Sequence, residues 1–588
     1  MTLRTNQTVP ASLASLLQQA RLQHQRGALP QAATLYHRLL QQDPQHVEAL
    51  HGCGVLASQR GQHASAVAFL RQAVALRPAI AMLHQDLGTA LWQQGDIKAA
   101  EATYRRALRL QPRSAAAHNS LGHVLHLQGR LEEASQQYQE AIRLQPDGAK
   151  ARNNLGLILQ EQGHLAMARA QFEMALQCDP GEAAIHHNLG LVLAAQRDLP
   201  AAASAFLAAI RLQPLYPTAY NSLGSVLQAQ GDVNGAMTAY QTALSQQPDC
   251  AQAHWNMALA RLTRGDLQQG WAGYEWRWQT IARRRAFPAP AWDGGSLAHR
   301  TLLVHAEQGI GDELLFASCF PEVVAQAGHV IIECAPRLAT LLQRSFSTTT
   351  VCAGRRLNDD LGWLQQLPAI DVQVAAGSLP RYSRATLAQF PPHVRYLVPD
   401  VARQAFWRQR LATLGSGLLV GLSWRSLASR RGAPHYTCLE QWDGVLQVPG
   451  IHWVNLQYDD SASELTAAQQ RLGITIHTWG DLDVFHDLEG VAALMGELDL
   501  VIAPETMMAV LAASLGQPVW RLSICSRDWD GLGTEVVPWF PSMRLYRQPQ
   551  SGDWQSVLAW VAHDLKCLAG SPATVGKTCI DKTLCPGT

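Results

Sequence analysis

The chain has 588 residues, more than the ~250–300 that a single hydrophobic core usually serves, so we expect two to four domains. Lys plus Arg (47) nearly balance Asp plus Glu (46), which excludes a global field attracting nucleic acid or an anionic membrane. Eleven cysteines show no metal-ligand spacing. The first twenty residues lack a basic start followed by an apolar core, and no 18-residue uncharged apolar run occurs. These features predict a cytoplasmic protein without a membrane span or a metal site.

Residues 11–280 repeat with a period of 34 residues, after a segment (1–10) predicted to be disordered. Glycines, leucines and aromatic residues recur in phase, and the prolines do so at Pro10, Pro44, Pro78, Pro112, Pro146, Pro180, Pro214 and Pro248. This pattern resembles the tetratricopeptide repeat, which has two antiparallel helices per unit. The resemblance implies an α solenoid of seven full units and a degenerate eighth.

One polar column precedes the leucine or methionine of each repeat, and it is expected to face the concave groove of the solenoid. Its members are Asp86, Ser120, Asn154, Asn188, Ser222 and Asn256. In the similar O-GlcNAc transferases, asparagines at this place hold the backbone of an extended peptide. The resemblance therefore implies that Asn154, Asn188 and Asn256 bind an acceptor peptide, although the column could instead bond neighbouring helices. A histidine column (His84, His118, His186, His254) is more typical of packing or a groove wall than of metal ligands.

An aromatic run at 270–278 predicts a last helix that caps the solenoid and packs against the next domain, with a sugar-binding platform as the alternative. A linker follows at 281–300, which contains Arg283, Arg284 and Arg285 among prolines and glycines.

From residue 301 onward, short apolar runs alternate with helical patterns, which predicts parallel sheets covered by helices. Strands are expected at 301–306, 329–334, 418–425, 453–457, 474–476, 500–503 and 519–522. Several of them end in polar residues, at Glu307, Arg425, Gln457 and Glu505. Since ligands of such sheets bind beyond the carboxyl ends of the strands, a site is expected there.

The segment Glu307–Glu313 combines a strand end, a glycine turn and a helix N-terminus. Free N–H groups at a helix N-terminus attract anions, and Gly309 and Gly311 let a ligand approach the backbone. The negative charge of Asp312 would repel an anion bound at such a site. This residue either caps the helix or performs chemistry beside a bound anion.

The order of motifs in this half is similar to that of GT-B glycosyltransferases, in particular the heptosyltransferases of glycosyltransferase family nine and bacterial proteins that fuse tetratricopeptide repeats to such a domain. The resemblance is carried by 307–312, 421–425, 456–458, 504–518 and 539–548. It implies an acceptor-side Rossmann-like unit at 301–414 and a nucleotide-sugar unit at 415–567, with 568–588 a disordered tail.

The resemblance also implies roles for individual residues. Asp312 matches the general base that activates the acceptor hydroxyl. The donor and its phosphates are assigned to Gly309, Gly311, Ser423, Trp424, Arg425, Gln457, Tyr458, Glu505, Thr506 and Met507, with Arg430 and Arg431 near Arg425. Val510 stands where heptosyltransferases carry a histidine, which argues against heptose as the donor sugar. Asp481 and Asp483 imitate a metal-binding DxD motif that belongs to another transferase fold.

The expected function is an inverting, metal-independent transfer of a sugar from a nucleotide-sugar to Ser or Thr of a protein held by the repeats. Flagellin is a candidate acceptor, and the donor is a substrate, so no cofactor is expected. Two alternatives stay open: a catalytically silent repeat scaffold, and an enzyme acting on a lipopolysaccharide-type acceptor.

Overall fold

In the computed structural model, the described residues are 13–281, 284–354, 361–392, 394–426, 436–524 and 529–570. They divide into two compact units, before and after the Ser222–Leu223 bond, and each unit is described by itself. The predicted disordered N-terminus (1–10), Arg283, Arg430, Arg431 and residues 571–588 lie outside the described residues. Leu568 and Ala569, placed in the tail by the sequence, instead end the last helix.

Between residues 13 and 274 the described chain forms eight consecutive helix pairs, and the second helix of the eighth pair has only 8 residues. This matches the prediction of seven full repeats and a degenerate eighth. The helices are α1 (Leu13–Gln25), α2 (Leu29–Gln42), α3 (Val47–Gln59), α4 (His63–Leu76), α5 (Ala81–Gln94), α6 (Ile97–Leu110), α7 (Ala115–Leu127), α8 (Leu131–Leu144), α9 (Ala149–Glu161), α10 (Leu165–Cys178), α11 (Ala183–Ala195), α12 (Leu199–Leu212), α13 (Pro217–Ala229), α14 (Val233–Gln246), α15 (Ala251–Arg264) and α16 (Leu267–Tyr274).

The two helices of a repeat meet where its glycine faces its aromatic residue. A Cβ added at Gly156 would lie 2.7 Å from Phe172 Cε1, and one at Gly122 would lie 2.8 Å from Tyr138 Cε1. Real Cβ atoms do not approach this closely, so any larger residue would force the helices apart. The glycine and aromatic columns of the sequence therefore arise from one contact, in which the aromatic ring of the second helix packs on the glycine of the first.

The histidine and proline columns also belong to one contact. His118 Nε2 lies 3.0 Å from the carbonyl oxygen of Pro112, and His84, His186 and His254 make the same contact six residues after their own prolines. In the fifth repeat Arg152 replaces the histidine and donates to Pro146 O at 2.8 Å. The histidine column thus bonds the loop that enters its own repeat in four of the eight repeats.

The second unit contains two parallel sheets. The first has the strand order β3-β2-β1-β4, with strands β1 (Thr301–His305), β2 (His329–Cys334), β3 (Thr350–Ala353) and β4 (Val372–Ala375). The second has the order β10-β9-β8-β5-β6-β7, with strands β5 (Leu418–Leu422), β6 (Ile451–Asn455), β7 (Ile476–His477), β8 (Leu500–Pro504), β9 (Val519–Ser523) and β10 (Met543–Arg547). Counted from its own first strand, the second sheet has the Rossmann order 3-2-1-4-5-6.

Helices connect and cover these strands. They are α17 (Ile310–Ala317), α18 (Phe320–Gln326), α19 (Ala339–Ser345), α20 (Pro380–Ser383), α21 (Val401–Ala412), α22 (Asp443–Leu446), α23 (Ala462–Leu472), α24 (Leu488–Met495), α25 (Met507–Ser514) and α26 (Trp554–Ala569). The predicted strands are present with shifted ends, whereas β3, β4 and β10 lie in stretches that the sequence patterns did not identify as strands.

The last repeat is joined to the first sheet through the fully buried Arg277. Its Nε and Nη2 donate to the Glu307 carboxylate at 2.9–3.1 Å, and Nη1 donates to Glu275 Oε1 at 2.8 Å. Ser378 Oγ accepts from Arg277 Nη2 at 2.7 Å, and the Gly377 N–H donates to Glu307 Oε1 at 3.1 Å. Burial raises the pKa of the Glu307 carboxyl above its ordinary value, while the Arg277 charge opposes this shift.

Two further contacts fix the same junction. Trp271 Nε1 donates to the Arg384 carbonyl at 3.0 Å, and the Tyr274 hydroxyl and Gln308 Nε2 lie 3.1 Å apart. The aromatic run therefore packs against the α/β region, as its spacing predicted. The loop that leads into α17 is held by the repeats rather than by the sheet alone.

Arg277→Met is expected to lower the free energy of unfolding of the second unit by about 3–5 kcal/mol, because two partly or fully buried carboxylates lose their cation. Arg403→Ala, which breaks an exposed pair with Asp487, should change it by less than about 1 kcal/mol. Urea unfolding followed by tryptophan fluorescence reports this unit, since Trp92 alone precedes residue 255. Equal effects of both variants would contradict the anchoring role of Arg277.

Candidate functional site

A cavity of about 600 Å³ lies in the second unit, at the carboxyl ends of strands from both sheets. This volume is within the ~300–1,000 Å³ of small-molecule sites. Its walls bring together segments that follow β1, β2, β8 and β9. The lining residues are Ile310, Gly311, Asp312, Leu315, Arg337, Ser426, Tyr458, Phe485, Glu505, Thr506, Met507, Ala509, Val510, Arg521, Trp529, Asp530, Phe540 and Met543.

The three acidic residues of the 307–313 segment have different positions. Glu307 is buried against Arg277, and the buried Glu313 accepts a hydrogen bond from the Ala335 N–H at 2.9 Å. Asp312 is half-buried and lines the cavity. Its Oδ2 also accepts from the Gly309 N–H at 3.1 Å, so it caps α17 as well. Both interpretations of Asp312 from the sequence are therefore compatible with its position.

Two helix N-termini meet at this cavity. A Cβ added at Gly311, in the first turn of α17, would lie 3.8 Å from Met507 Cα at the start of α25. Thr506 precedes α25 but makes no side-chain cap, and its Oγ1 is buried with no hydrogen-bond partner among the described residues. Helix N-terminal amides and an unsatisfied hydroxyl are donors that suit a phosphate group.

Two arginines line the cavity, and they differ in their partners. Arg521 pairs with Asp530 at 2.5 Å and with Glu505 at 3.1 Å. Arg337 donates to the Phe485 backbone carbonyl and lies over the Phe485 ring, 4.4 Å from its centroid. Within the described residues Arg337 has no carboxylate partner, so its charge is the more available one for an anionic ligand.

The rest of the cavity wall is aromatic and apolar. Tyr458 and Phe485 stack at 6.4 Å, and Trp529 faces Phe316 at 6.3 Å. Val510 lies on α25 one turn after Thr506 and lines the same cavity. Such surfaces bind flat rings and the apolar faces of sugars by stacking.

Other residues of the expected donor set lie away from the cavity lining. Arg425 is buried and donates to Asp459 at 2.5 Å and to Glu464 at 2.6 Å, so its charge is already compensated. Gln457 Oε1 accepts from the Trp424 N–H at 2.9 Å and from Ser423 Oγ at 3.1 Å, and Trp424 is buried. Ser423, Trp424, Arg425 and Gln457 thus join the ends of β5 and β6. The arginines in the cavity lining, where Arg425 was expected, are Arg337 and Arg521. Gly309 also lies outside the lining, beside it at the N-cap of α17.

The acidic pair that imitates DxD has structural partners: Asp481 pairs with Arg410 at 2.6 Å, and Asp483 Oδ1 accepts from the Phe485 and His486 N–H groups. Over the described ranges, no cluster of three or more His, Cys, Asp or Glu residues could hold a metal ion. No helix in the described part of the chain has the length and apolar character to cross a membrane.

In the first unit, the asparagines of the polar column bond the preceding repeat. Asn154 Nδ2 donates to Asn119 Oδ1 at 3.1 Å, and Asn188 Nδ2 donates to Asn153 Oδ1 at 2.9 Å. In the second unit Asn256 Nδ2 donates to Ser225 Oγ at 3.3 Å. The inter-repeat bonds of the alternative interpretation are thus present, and both Asn154 and Asn188 stay half-exposed.

The polar and aromatic cavity residues that the sequence did not assign to the site include Arg337, Phe485, Arg521, Trp529 and Asp530. Two of them carried a usable signal. Arg337 follows the end of β2 by three residues, and Arg521 is a charged residue inside the buried strand β9. Phe485 lies in a loop, and Trp529 and Asp530 lie in a 3-10 helix of three residues, which is too short to show a periodic pattern.

Comparison with known families places the repeats in a recognised class. Residues 3–215 match the family described as the cilia and flagella-associated protein 70 C-terminal domain, and residues 226–265 match the TPR repeat family. Together with the helix pairs, these matches show that the chain contains tetratricopeptide repeats, and its C-terminal region is parallel α/β. Tetratricopeptide repeats commonly bind protein partners.

Among individual proteins, the chain is similar to Protein FlbA of Caulobacter vibrioides, with 34% identity over 316 residues. The match covers 52% of this chain and 53% of FlbA, so the chain spans about half the length of that relative.

Solved structures of other proteins are similar to part of the chain. PilF of Pseudomonas aeruginosa is 23% identical and covers 35% of this chain and 94% of its own, with a TM-score of 0.33. A repeat protein of Parabacteroides merdae is 13% identical and covers 42% of this chain and 98% of its own, with a TM-score of 0.36.

We expect Arg337→Ala to weaken the binding of inorganic pyrophosphate by about tenfold or more and to lower the melting temperature only slightly. Among the described residues, its guanidinium contacts a backbone carbonyl and an aromatic ring but no carboxylate. Arg425→Ala should do the reverse: it should leave pyrophosphate affinity intact and lower the free energy of unfolding by about 1.5–3 kcal/mol. Calorimetric titration and thermal unfolding measure the two quantities. If only Arg425→Ala lost pyrophosphate binding, Arg425 rather than Arg337 would be the anion-binding residue.

Proposed function

We propose that this protein is a glycosyltransferase of the GT-B type that transfers a sugar from a nucleotide-sugar to a Ser or Thr hydroxyl of a protein. The repeats bind the acceptor, and flagellin is one candidate for it. The two parallel sheets correspond in this proposal to the acceptor-side and donor-side units.

The observation that carries the proposal is the composition of the large cavity. Asp312, a carboxylate that follows β1, lines the same cavity as the start of α25, Thr506 and Arg337, which offer donors and charge that suit a phosphate. A transfer reaction needs both kinds of group: one must take a proton from the acceptor, and the other must stabilise the departing phosphate.

In the proposed step, the oxygen of the acceptor hydroxyl bonds to the anomeric carbon of the donor sugar, and Asp312 accepts the proton of that hydroxyl. The bond between that carbon and the donor phosphate oxygen breaks on the opposite face, which inverts the configuration. The leaving group, a nucleoside diphosphate or, for a CMP-sugar, CMP, takes the electron pair. Its charge is met by the α25 amides, the Thr506 hydroxyl and Arg337. A carboxylate has about four lone-pair sites, so the α17 cap is compatible with this role.

The donor base or sugar is proposed to stack on the aromatic wall formed by Tyr458, Phe485 and Trp529. Val510 occupies the wall where heptosyltransferases carry a histidine, which favours a donor sugar other than heptose.

Asp312→Asn tests the catalytic role sharply, because the amide oxygen still accepts from the Gly309 N–H and keeps the cap. Turnover is expected to fall by about 10²–10⁴, since an amide cannot take the hydroxyl proton, while donor affinity survives. The assay measures sugar transfer from CMP-, UDP-, GDP- and ADP-sugars to flagellin. An unchanged rate would remove Asp312 from the mechanism.

The acceptor role of the repeats predicts a different kinetic effect. The double variant Asn154→Ala, Asn188→Ala is expected to raise KM for the protein acceptor by about tenfold, because two amide contacts to its backbone are lost. Hydrolysis of the donor without acceptor should be unaffected. The matched control is Gln145→Ala with Gln213→Ala, which removes two exposed amides at the C-caps of α8 and α12.

Two outcomes would select the alternatives. A chain that binds no nucleotide-sugar and transfers nothing would be a repeat scaffold with a silent α/β region. Full activity on a lipopolysaccharide-type acceptor, undiminished by the asparagine double variant, would assign the repeats to assembly rather than to acceptor binding.

A further inference from the structure

A second cavity, of about 190 Å³, lies on the first sheet and shares no lining residue with the large one. Leu303 pairs with Gln373 and His305 pairs with Ala375, so His305, Gln373 and Ala375 share one face of the sheet. The side chains of the intervening residues, Val304 and Val374, belong to the apolar core. The remaining walls come from the end of the last repeat, the 284–292 segment and the α20 region.

His305 contributes a buried group that needs a donor. It is 5% exposed, and its Nε2 lies 3.0 Å from Gln373 Oε1. Because the amide oxygen only accepts, this contact assigns the ring proton to Nε2 and leaves Nδ1 as an acceptor. Nδ1 has no hydrogen-bond partner in the described part of the chain. Burial, with a smaller effect of Arg285, lowers the pKa of His305 to about 3, so the ring is neutral at pH 7.

The cavity also carries positive charge at its exposed side. Arg284 and Arg381 line it and are both solvent-exposed, and neither has a carboxylate partner among the described residues. Arg381 lies 5.7 Å from the centroid of the Tyr382 ring.

The other charged residues of the lining are compensated. Arg285 is paired with Glu333, and Glu275 is paired with Arg277 at 2.8 Å and accepts from Ser378 Oγ at 2.7 Å. The cavity therefore combines two available guanidinium groups with one buried acceptor.

We propose that this cavity binds a hydrogen phosphate group, whose charged oxygens accept from Arg284 and Arg381 and whose P–OH donates to His305 Nδ1. The volume is small for a nucleotide but holds about six waters or one such anion. The bound ion would connect the 284–292 segment and the α20 region to the end of β1.

The buried acceptor makes the proposal specific for phosphate over sulfate. The two ions have similar size and charge, but only hydrogen phosphate carries a proton at pH 7 for His305 Nδ1. With sulfate, the lone pair of Nδ1 would face an unprotonated oxygen, which is unfavourable. A guanidinium pair on the surface without the histidine would bind both ions alike.

The test is calorimetric titration of the full chain carrying Arg337→Ala, which removes the available cation of the large cavity. Inorganic phosphate should bind to one site, and sulfate should bind about tenfold or more weakly. Glycerol 3-phosphate at pH 6 and pH 8 distinguishes an ester from the free ion, since an ester binds through its protonated form only at the lower pH.

Variants assign the groups. Arg381→Ala should weaken phosphate and sulfate together by about tenfold, His305→Phe should abolish the preference between them, and Arg300→Ala, an exposed arginine outside the lining, should change neither. Equal affinity for both ions, no phosphate binding, or binding unaffected by Arg381→Ala would overturn the proposal. If His305→Phe fails to fold, the phosphate-to-sulfate ratio of the parent chain decides by itself. These readouts are binding measurements, so they do not depend on whether sugar transfer occurs.

Discussion

The buried ion pair between Arg277 and Glu307 is the constraint on which the α/β region depends. Removing a guanidinium and a carboxylate from water is costly, and the cost is offset only while both keep their partners. Here Glu275, Ser378 and the Gly377 N–H complete the set, and Gly377 is required because a Cβ there would lie 2.3 Å from Glu307 Oε1. The pair holds the loop that begins α17, and therefore the position of Asp312. The last repeat is thus part of the α/β region's own structure.

In the large cavity, the charged side chains that already have partners in the protein differ from those that are available to a ligand. Arg425 and Arg521 each contact two carboxylates, whereas Arg337 contacts a backbone carbonyl and an aromatic ring. The same distinction holds among the acids, since Glu307 and Glu313 are bound within the fold and Asp312 lines the cavity. A group already satisfied by the protein has little free energy to offer a ligand. The proposed chemistry therefore rests on Asp312, Thr506, Arg337 and the N-terminus of α25.

Much of the fold followed from local patterns. The 34-residue period predicted the helix pairs, because most repeats share the same contact between their glycine and their aromatic residue. Long apolar runs predicted β1, β2, β8 and β9. The short strands β3 and β4 were missed, since four residues bounded by irregular loops carry no periodicity. Of the expected donor and catalytic residues, Gly311, Asp312, Tyr458, Glu505, Thr506 and Met507 line the large cavity, while Gly309, Ser423, Trp424, Arg425 and Gln457 do not.

The sequence by itself determined the repeat class, the parallel α/β architecture and the strand ends near which a site must lie. It did so because helix contacts within a repeat and strand burial depend on residues close in the chain. Only the tertiary structure decided which polar residues face the cavity. Whether an arginine is compensated depends on carboxylates far away in sequence, such as Asp459 and Glu464 for Arg425, or on their absence near Arg337 among the described residues. Partners of this kind are set by how the strands are ordered and packed, which local periodicity does not encode.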